Sequence, residues 1–413
     1  MSRTKLAFFL RHNNDIDHMI PVAYALAQSG RHELHLVVCT HPAYLDDARL
    51  KLLEPFDNVR FHHIMDFAPL PAEERTRIIA ETLGQRPADE VNFGEIWRPW
   101  CGTQMFASLF GAIFGQDRRG AVVFDWTTEP LAQAIVKLAA GLGIQSVSLP
   151  HGVKVFANWL VTKDNLNFAE LTQSTCEFSI FDHVVLPNRY WHDFYAKCQV
   201  ATNLHILGSP RYCEQWRDIL ARLTKPFPKD VGQALRVVFF LRDQGYDIFW
   251  EEVVRSYRLI LQFPGVHLLV RHHRRSCAQA SLRAEHPALF ETSHPNLTIL
   301  TDNTSSSALI DWADVVVDGG TSMSYEAVLK GKPLLSLEYL HPNRTILVDY
   351  LKSCEMRTRD DFYFQMEAFV RDKHKAFYDP DEVRVFRDNV IDYFEPDVLG
   401  RYVNFFDSIL VRV

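Results

Sequence analysis

Residues 314–333 read DVVVDGGTSMSYEAVLKGKP, and this stretch decides the fold class. The apolar run at residues 315–317 predicts a buried strand, and the periodic residues behind it predict a helix that ends at Gly331. Pro333 opens the next strand. The two glycines between strand and helix let the backbone approach a ligand closely. A strand, a glycine turn and a helix in this order are typical of a parallel α/β sheet.

The side chains of this turn and of the helix start suit a nucleotide. Ser322 and Ser324 lie at the predicted helix N-terminus, where free N–H groups and the helix dipole favour a phosphate. Gly320 and Thr321 precede them in the turn. Glu326 follows, and a carboxylate at that position can accept hydrogen bonds from ribose hydroxyls. The alternative is an ordinary helix cap, in which the serines and the glutamate satisfy only backbone groups.

Working outward, short apolar runs alternate with helical patterns in two series. The predicted strands lie at residues 5–10, 35–39, 58–64, 121–126, 145–149 and 183–186, and then at 235–241, 266–270, 297–300, 315–317 and 334–337. Between the two series stands TKPFPKDVGQA, residues 224–234, whose two prolines and glycine predict a linker.

This alternation predicts an α/β protein with two Rossmann-like, doubly wound parallel-sheet domains. We expect an N-terminal domain at residues 1–223, a second domain at 235–380, and helices at 381–413 that return to the first domain. Ligands bind beyond the carboxyl ends of such strands. Two facing domains therefore predict an active site in the cleft between them.

Composition and charge exclude several classes of protein. The 413 residues are 47% hydrophobic and 23% charged, which is globular rather than disordered. The net charge of −7 argues against a globally basic nucleic-acid binder. No apolar run approaches the roughly 18 residues of a membrane span, and the N-terminus lacks a signal-peptide pattern. We therefore expect a cytoplasmic protein with at most peripheral association with the inner face of the inner membrane.

Several motifs of cofactor and metal chemistry are missing from the sequence. The seven cysteines are scattered without a CxxC pair, which argues against a disulfide framework or a zinc site. There is no GxGxxG after the first strand, no P-loop, no HExxH and no convincing D-x-D at a strand end. We therefore predict no metal and no cofactor, with leaving-group stabilisation by arginine, histidine and helix N-termini.

Four spaced motifs resemble those of one group of enzymes. The pattern S-x-S-x-E-A-x-x-x-G-K-P at residues 322–333 resembles the donor-nucleotide segment of GT-B glycosyltransferases. The resemblance is closest to bacterial capsule and lipopolysaccharide enzymes that use CMP-Kdo, and to CDP-glycerol glycerophosphotransferases. LPHGVK at 149–154 resembles their strand-end HG motif, and LGSPR at 207–211 resembles their G-x-P-R turn. VRHHR at 270–274 stands where they have K-x-H-P.

The basic residues that follow the strand at 266–270 form a cluster that can bind an anion. Arg271, His272 and His273 follow the strand end, and a nucleotide phosphate is a suitable anion for such a cluster. In the resemblance, Arg271 takes the place of the lysine and His273 that of the histidine, while Arg274 departs from the proline. The alternative is a solvated surface loop. Ser305 follows a later strand and borders the base in this fold, although we favour a helix cap for it.

Five side chains are candidates for the chemical step. The resemblance to retaining β-Kdo transferases implies Asp243 as a nucleophile in a double displacement, with Asp247 second; the alternative is a helix cap. Glu170 is a candidate acid/base, against simple surface exposure. His151 ends a strand and can act as a base or as an oxyanion donor, unless the backbone satisfies it. His273 can donate to the bridging phosphate oxygen as the nucleotide leaves.

The first strand is followed by a polar turn that suits sugar or acceptor hydroxyls, formed by His12, Asn13, Asn14 and Asp15. The sequence thus predicts a metal-independent glycosyltransferase. The resemblance implies a transfer of Kdo from CMP-Kdo to a bacterial surface-glycan or glycolipid acceptor. Two alternatives stay open: a UDP-sugar transferase or nucleotide-sugar 2-epimerase on the same fold, and a non-catalytic scaffold of a polysaccharide assembly complex.

Overall fold

A computed structural model of the chain divides into two compact units. It describes residues 3–83, 102–116, 118–125, 129–153, 155–157, 180–197, 202–242, 248–273, 280–300, 302 and 304–410. Of these, unit 1 contains 3–153, 180–223 and 389–410, and unit 2 contains 155–157 and 224–388. Among the helices of these residues, none has both the length and the apolar content that crossing a membrane requires.

Unit 1 is built on a parallel sheet of seven strands in the order β3-β2-β1-β4-β5-β6-β7. The strands are β1 (Thr4–Leu10), β2 (His32–Val38), β3 (Val59–His63), β4 (Gly120–Asp125), β5 (Gln145–Leu149), β6 (His183–Leu186) and β7 (Asn203–Ile206). The α-helices are α1 (Asn13–Ser29), α2 (Ala48–Lys51), α3 (Ala72–Leu83), α4 (Thr103–Phe114), α5 (Pro130–Gly141), α6 (Arg189–Lys197) and α7 (Glu214–Leu223), with 3-10 helices at Pro42–Asp46 and Ile64–Phe67.

Helices cover both faces of this sheet, which explains the unbroken apolar run of its first strand. On one face the ring of Phe9 stacks on Phe124 at 4.6 Å, and on the other Phe8 lies 6.4 Å from Phe406. Phe406 belongs to the C-terminal helix of the chain, Val398–Leu410, which packs with α1 in the same core. The last described residues of the chain are therefore part of unit 1.

Unit 2 is built on a parallel sheet of six strands in the order β10-β9-β8-β11-β12-β13. The strands are β8 (Leu235–Phe240), β9 (Val266–Arg271), β10 (Leu297–Leu300), β11 (Val315–Asp318), β12 (Leu334–Leu337) and β13 (Glu355–Met356). The helices are α8 (Trp250–Leu261), α9 (Ala280–Glu285), α10 (Ser306–Trp312), α11 (Met323–Leu329), α12 (Leu347–Tyr350), α13 (Arg359–Arg371) and α14 (Pro380–Phe386). Shorter 3-10 helices lie at Pro287–Phe290, Glu338–Leu340 and Lys352–Cys354, a π-helix lies at Arg387–Ile391, and the C-terminal helix Val398–Leu410 of unit 1 is α15.

The division of the chain differs in two places from the boundaries that the sequence predicts. The first change of unit after β7 falls between Leu223 and Thr224, at the start of the predicted linker. Residues 155–157, expected in the N-terminal domain, belong to unit 2, where Phe156 forms an antiparallel bridge with Thr345. The return to unit 1 begins at Asn389, because α14 still belongs to unit 2.

Each sheet has one point at which the strand order reverses. In unit 1 this switch point lies between β1 and β4, and in unit 2 it lies between β8 and β11. Ligands of doubly wound sheets bind outside the carboxyl ends of the strands at the switch point. The side chains that follow these four strands therefore mark the places where a ligand is expected.

Candidate functional site

In unit 2, β11 ends at the switch point in a turn that we call the glycine turn, residues 318–321. The carboxylate of Asp318 is 1% exposed and accepts hydrogen bonds from the backbone N–H groups of Gly320, at 3.0 Å, and Thr321, at 2.8 Å. The Thr321 hydroxyl donates to the same carboxylate at 2.6 Å. Burial raises the pKa of Asp318 to about 6, although these hydrogen bonds oppose the shift.

Gly320 occupies a position that a larger residue cannot take without disturbance. Its φ is +90°, a backbone conformation that favours glycine. A Cβ atom added there would lie 2.9 Å from Cζ of Phe156 and 3.0 Å from Nε2 of His341. Glycine is therefore favoured at position 320 for two reasons: the positive φ of the turn and the close approach of two aromatic rings.

Three side chains that the sequence analysis did not select surround the glycine turn. The Arg242 guanidinium, just after β8, lies 4.1 Å above the ring of Phe156 and donates to the Gly320 carbonyl. His341 follows β12, and its Nδ1 donates to the Asn343 carbonyl at 2.7 Å. Burial lowers the pKa of His341 to about 4, so its ring is neutral at pH 7. Its Nε2, next to Gly320, has no hydrogen-bond partner among the described residues.

The helix after the glycine turn contains the other predicted donor-binding residues. Ser322 is the N-cap of α11, and Glu326 lies in its first turn. The Ser324 hydroxyl is buried and donates to the Thr321 carbonyl at 2.7 Å. The Glu326 carboxylate pairs with Lys330 at 3.3 Å. Ser324 therefore has a structural partner within the turn, while Ser322 and Glu326 flank it.

The basic segment at the end of β9 is largely built into the protein. Arg271 is 6% exposed and donates to the Asp302 carbonyl. His272 lies 3.2 Å from the Leu289 carbonyl through Nε2, stacks on Phe290 at 4.5 Å, and has its pKa lowered to about 4 by burial. Arg271 and His272 do not form the solvated loop that was the alternative, because β9 continues through Arg271 and His272 packs on Phe290. Their predicted part in donor binding stays a prediction. His273 is exposed at the segment's edge.

Ser305 is among the residues that the structure describes, whereas four other residues selected from the sequence are not. Ser305 is the N-cap of α10, as the favoured cap interpretation expects, although its side chain makes no capping hydrogen bond. Asp243 and Asp247, Glu170 and Arg274 lie outside the described residues. Their predicted roles stay predictions.

In unit 1, the residues that follow β1 form a buried ion-pair network at the other switch point. Asp15 is completely buried and accepts from the backbone N–H of Arg11 at 2.7 Å, from its Nε at 3.1 Å, and from Nδ1 of His12 at 2.8 Å. Burial lowers the pKa of His12, but Asp15 raises it by more, to about 9. Oε1 of Glu129, before α5, lies 3.7 Å from both Arg11 and His12.

This arrangement corrects the predicted polar turn. The helix α1 begins at Asn13, so Asn13, Asn14 and Asp15 lie in its first turn rather than in a loop. Asn14 is exposed, whereas Asp15 points inward to bind Arg11. Of the four predicted acceptor-binding residues, the structure brings His12 and Asp15 together, and Asp15 serves the ion-pair network.

Three more side chains meet beside this network. Nδ1 of His151, two residues after β5, lies 2.6 Å from Oδ2 of Asp125, which ends β4 and is completely buried. Burial lowers the pKa of His151, but Asp125 raises it by more, and the net shift is upward. His18 of α1 packs its ring 4.8 Å from that of His151, and burial together with His151 lowers the pKa of His18 well below its usual value. Donor atoms of the three side chains all lie within 4.8 Å of one another.

His151 is predicted from the sequence, whereas Asp125, His18 and Glu129 are not. A signal for Asp125 exists in the sequence, because it is an acidic residue at the end of an apolar strand beside the first strand of the sheet. His18 has no such signal. It stands in a helical pattern, and only the fold brings it to the strand ends.

Comparisons with known proteins bear on the fold. No protein-family model and no curated protein match the sequence. Solved structures match along nearly the whole chain. The S. aureus MnaA–UDP co-structure has a TM-score of 0.58 at 13% identity and covers 98% of this chain and 97% of that one. A UDP-GlcNAc 2-epimerase from Neisseria meningitidis bound to UDP-GlcNAc has a TM-score of 0.57 at 10% identity, with 98% and 99% covered. The glycotransferase of kitacinnamycin has 0.53 at 13% identity, with 99% of both chains covered.

At these low identities the similarity establishes the fold. The structures share the pairing of two doubly wound parallel sheets that the sequence predicts, and the predicted fold class is confirmed. The chain has an α/β GT-B-like fold.

Proposed function

We propose that this protein is an enzyme that acts on a nucleotide-activated sugar and binds its nucleotide at the glycine turn of unit 2. The observation that supports this most is the position of the turn. It lies at the carboxyl end of β11 at the switch point, where doubly wound sheets bind ligands. The φ of +90° at Gly320 gives the turn a backbone conformation that favours glycine. Ser322 and Glu326 flank the turn with groups that suit phosphate and ribose.

The donor that we favour is a UDP-sugar. The support is the similarity to one structure in complex with UDP and to another bound to UDP-GlcNAc. CMP-Kdo is the second candidate, and its support is the S-x-S-x-E-A-x-x-x-G-K-P pattern at residues 322–333. Both nucleotides would use the same turn for their phosphates, so the difference lies in the base and in the sugar.

For the reaction we propose glycosyl transfer to a glycan or glycolipid acceptor, with sugar 2-epimerisation as the second candidate. Transfer is supported by the motif resemblance and by similarity to a glycotransferase; epimerisation is supported by similarity to 2-epimerases. Asp243 remains our candidate nucleophile for a retaining transfer. In unit 1, we assign to Asp125 and His151 the polarisation of a sugar or acceptor hydroxyl, because His151 is held at Nδ1 by a buried carboxylate.

Nucleotide binding is tested with matched glycine variants. Gly320 and Gly331 both have positive φ, but an added Cβ meets two rings at Gly320 and nothing within 4 Å at Gly331. We expect UDP, and less so CMP or GDP, to raise the melting temperature of the wild type and of Gly331→Ala, since a ligand bound only by the folded state stabilises it. Gly320→Ala should lose that shift. A nucleotide shift that survives in Gly320→Ala contradicts the placement of the site.

The reaction type is tested by product analysis. The protein is incubated with UDP-GlcNAc in D₂O without any acceptor and followed by NMR. An epimerase converts the sugar under these conditions and exchanges a carbon-bound proton with solvent, whereas a transferase leaves it intact until an acceptor is added. Lack of any nucleotide shift together with lack of turnover favours the scaffold alternative.

A further inference from the structure

We propose that His18, Asp125 and His151 of unit 1 form a binding site for a divalent transition-metal ion, with zinc as the best-suited ion. This inference departs from the sequence, which predicts no metal site. It stands on the geometry of unit 1 and does not require the proposed nucleotide donor. Two imidazoles and one carboxylate are a donor set that zinc takes in proteins, and three protein ligands leave a fourth position for water or substrate.

The three proposed ligands converge from separate elements of unit 1. His18 comes from α1, Asp125 from the end of β4, and His151 from the segment after β5. Their donor atoms lie within 4.8 Å of one another. A tetrahedral ion with bonds of about 2.0–2.2 Å needs donors roughly 3.5 Å apart. Side-chain rotations that move each donor by about 1 Å are enough to reach that geometry.

His18 also has a buried ring nitrogen without a hydrogen-bond partner among the described residues. This nitrogen is Nδ1, and the side chain is 3% exposed. Buried polar atoms almost always have a hydrogen-bond partner, so a buried nitrogen without one indicates a position where a ligand can bind. Gly152 leaves room for this ring, because a Cβ at Gly152 would lie 3.1 Å from Cε1 of His18. The His18 ring packs against that of His151, with ring centroids 4.8 Å apart.

The charges around the cluster also favour a cation. Three carboxylates gather at this switch point, those of Asp15, Asp125 and Glu129. Arg11 and His12 both pair with Asp15, and Glu129 lies 3.7 Å from each of them. Asp125 is completely buried. A cation bound in the cluster adds positive charge beside these carboxylates, and buried negative charge is stabilised in this way.

A bound ion would also give the proposed hydroxyl polarisation a physical basis. A zinc ion with an open coordination position acts as a Lewis acid on a bound oxygen. The Asp125–His151 contact keeps two of the proposed ligands next to each other in the protein without the ion. Metal binding stands as a testable property even if the nucleotide proposal fails.

The test measures zinc in the full-length protein. Chelator-treated protein is titrated with Zn²⁺, dialysed and analysed by inductively coupled plasma mass spectrometry. We expect a single ion per chain in the wild type. His18→Gln and Asp125→Asn, which keep side-chain size, should weaken binding at least about tenfold, because each removes a ligand. The matched control is His205→Gln, which breaks a different imidazole pair, 3.1 Å from His183, and should retain zinc.

A second readout makes the outcome independent of activity. Co²⁺ in place of Zn²⁺ reports tetrahedral nitrogen and oxygen ligands by its visible absorption, which should appear in the wild type and in His205→Gln but not in His18→Gln. Circular dichroism confirms that each variant is folded. Absence of stoichiometric metal in the wild type overturns the proposal, and so does equal metal binding by folded His18→Gln. Nucleotide-induced melting shifts, measured on metal-free protein, report separately on the proposed function.

Discussion

Nδ1 of His151 lies 2.6 Å from Oδ2 of Asp125, across two neighbouring strands of the unit 1 sheet. The contact is a consequence of strand register. Asp125, the last residue of β4, pairs with Leu149, the last residue of β5, so a side chain two residues further along can reach back over the strand end. The pair therefore exists because β4 and β5 are adjacent and parallel, and the fold fixes the geometry of its two functional groups.

The ion pair next to this contact provides the first prediction. Asp15→Asn leaves the Arg11 guanidinium buried without its carboxylate, and breaking a buried pair in this way costs about 3–5 kcal/mol. The control is Asp17→Asn on the same helix, whose carboxylate is 26% exposed and faces Arg49 and Arg211. A more exposed pair contributes about 1 kcal/mol or less. The free energies of unfolding in urea compare the two variants, and equal losses would contradict this view of Asp15.

The second prediction concerns the pH dependence contributed by Asp318. Burial raises its folded pKa to about 6, above the usual value, so the native state holds this proton more tightly than the unfolded chain does. Stability from this group is therefore lost as the pH rises from about 4 to 6, by at most about 3 kcal/mol. Asp318→Asn removes the titration.

Urea unfolding at pH 4, 5 and 6.5 measures the effect. The wild type should lose more stability across this range than Asp318→Asn, whereas a variant of the exposed Asp360, Asp360→Asn, should follow the wild type. The idea fails if Asp318→Asn and the wild type show the same slope. The hydrogen bonds from Gly320 and Thr321 then hold the carboxylate ionised despite its burial.

The third prediction concerns a histidine pair inside the unit 1 sheet. Nδ1 of His35 lies 3.0 Å from Nε2 of His62, and burial with the neighbouring imidazole lowers the pKa of His35 to about 3. The unfolded chain binds this proton near pH 6.5, whereas the native state does not. Stability is therefore complete above that pH and falls as the pH drops toward 3, by about 2 kcal/mol at pH 5.

His35→Gln should reduce that acid sensitivity. The measurement is the difference in unfolding free energy between pH 7 and pH 5 for the wild type, His35→Gln and the exposed control His374→Gln. The control should match the wild type. If His35→Gln loses as much stability on acidification as the wild type, another group controls the acid sensitivity.

The sequence predicts the strands well because parallel strands buried on both faces are unbroken apolar runs. The predicted bounds of β5 and β12 are those of the structure, and β11 differs by one residue, Asp318. The two-residue strand Glu355–Met356 is too short to produce a pattern. The start of α1 at Asn13 has no apolar period in the sequence, because its first turn is formed by polar residues.

The candidate site is less predictable, since its parts come together only in three dimensions. The glycine turn is visible because glycines and serines follow a strand. The sequence does not reveal the positions of His341 and Phe156, because they approach Gly320 only when Phe156 forms its β-bridge with the distant Thr345. His272 shows the opposite case. A run of basic residues after a strand predicts a phosphate-binding cluster or, alternatively, a solvated loop, and the sequence does not show that packing on Phe290 buries this ring.

The last prediction concerns the two side chains stacked beside the glycine turn. The Arg242 guanidinium lies 4.1 Å from the Phe156 ring centroid, and Phe156 is 4% exposed. A cation held over a desolvated ring contributes about 1–2 kcal/mol beyond the area that it buries. In a double-mutant cycle of Phe156→Leu and Arg242→Met, the coupling energy should therefore be about 1–2 kcal/mol.

The matched control is a longer contact in the same unit, in which the Arg236 guanidinium lies 5.9 Å from the Trp312 ring. The cycle of Arg236→Met and Trp312→Leu should give a coupling below about 0.5 kcal/mol, because the charge is farther from the ring and partly exposed. Urea unfolding of the four variants and the two double variants supplies all the terms. Additive losses for Phe156 and Arg242 would mean that the aromatic ring has no part in holding the guanidinium against the Gly320 carbonyl.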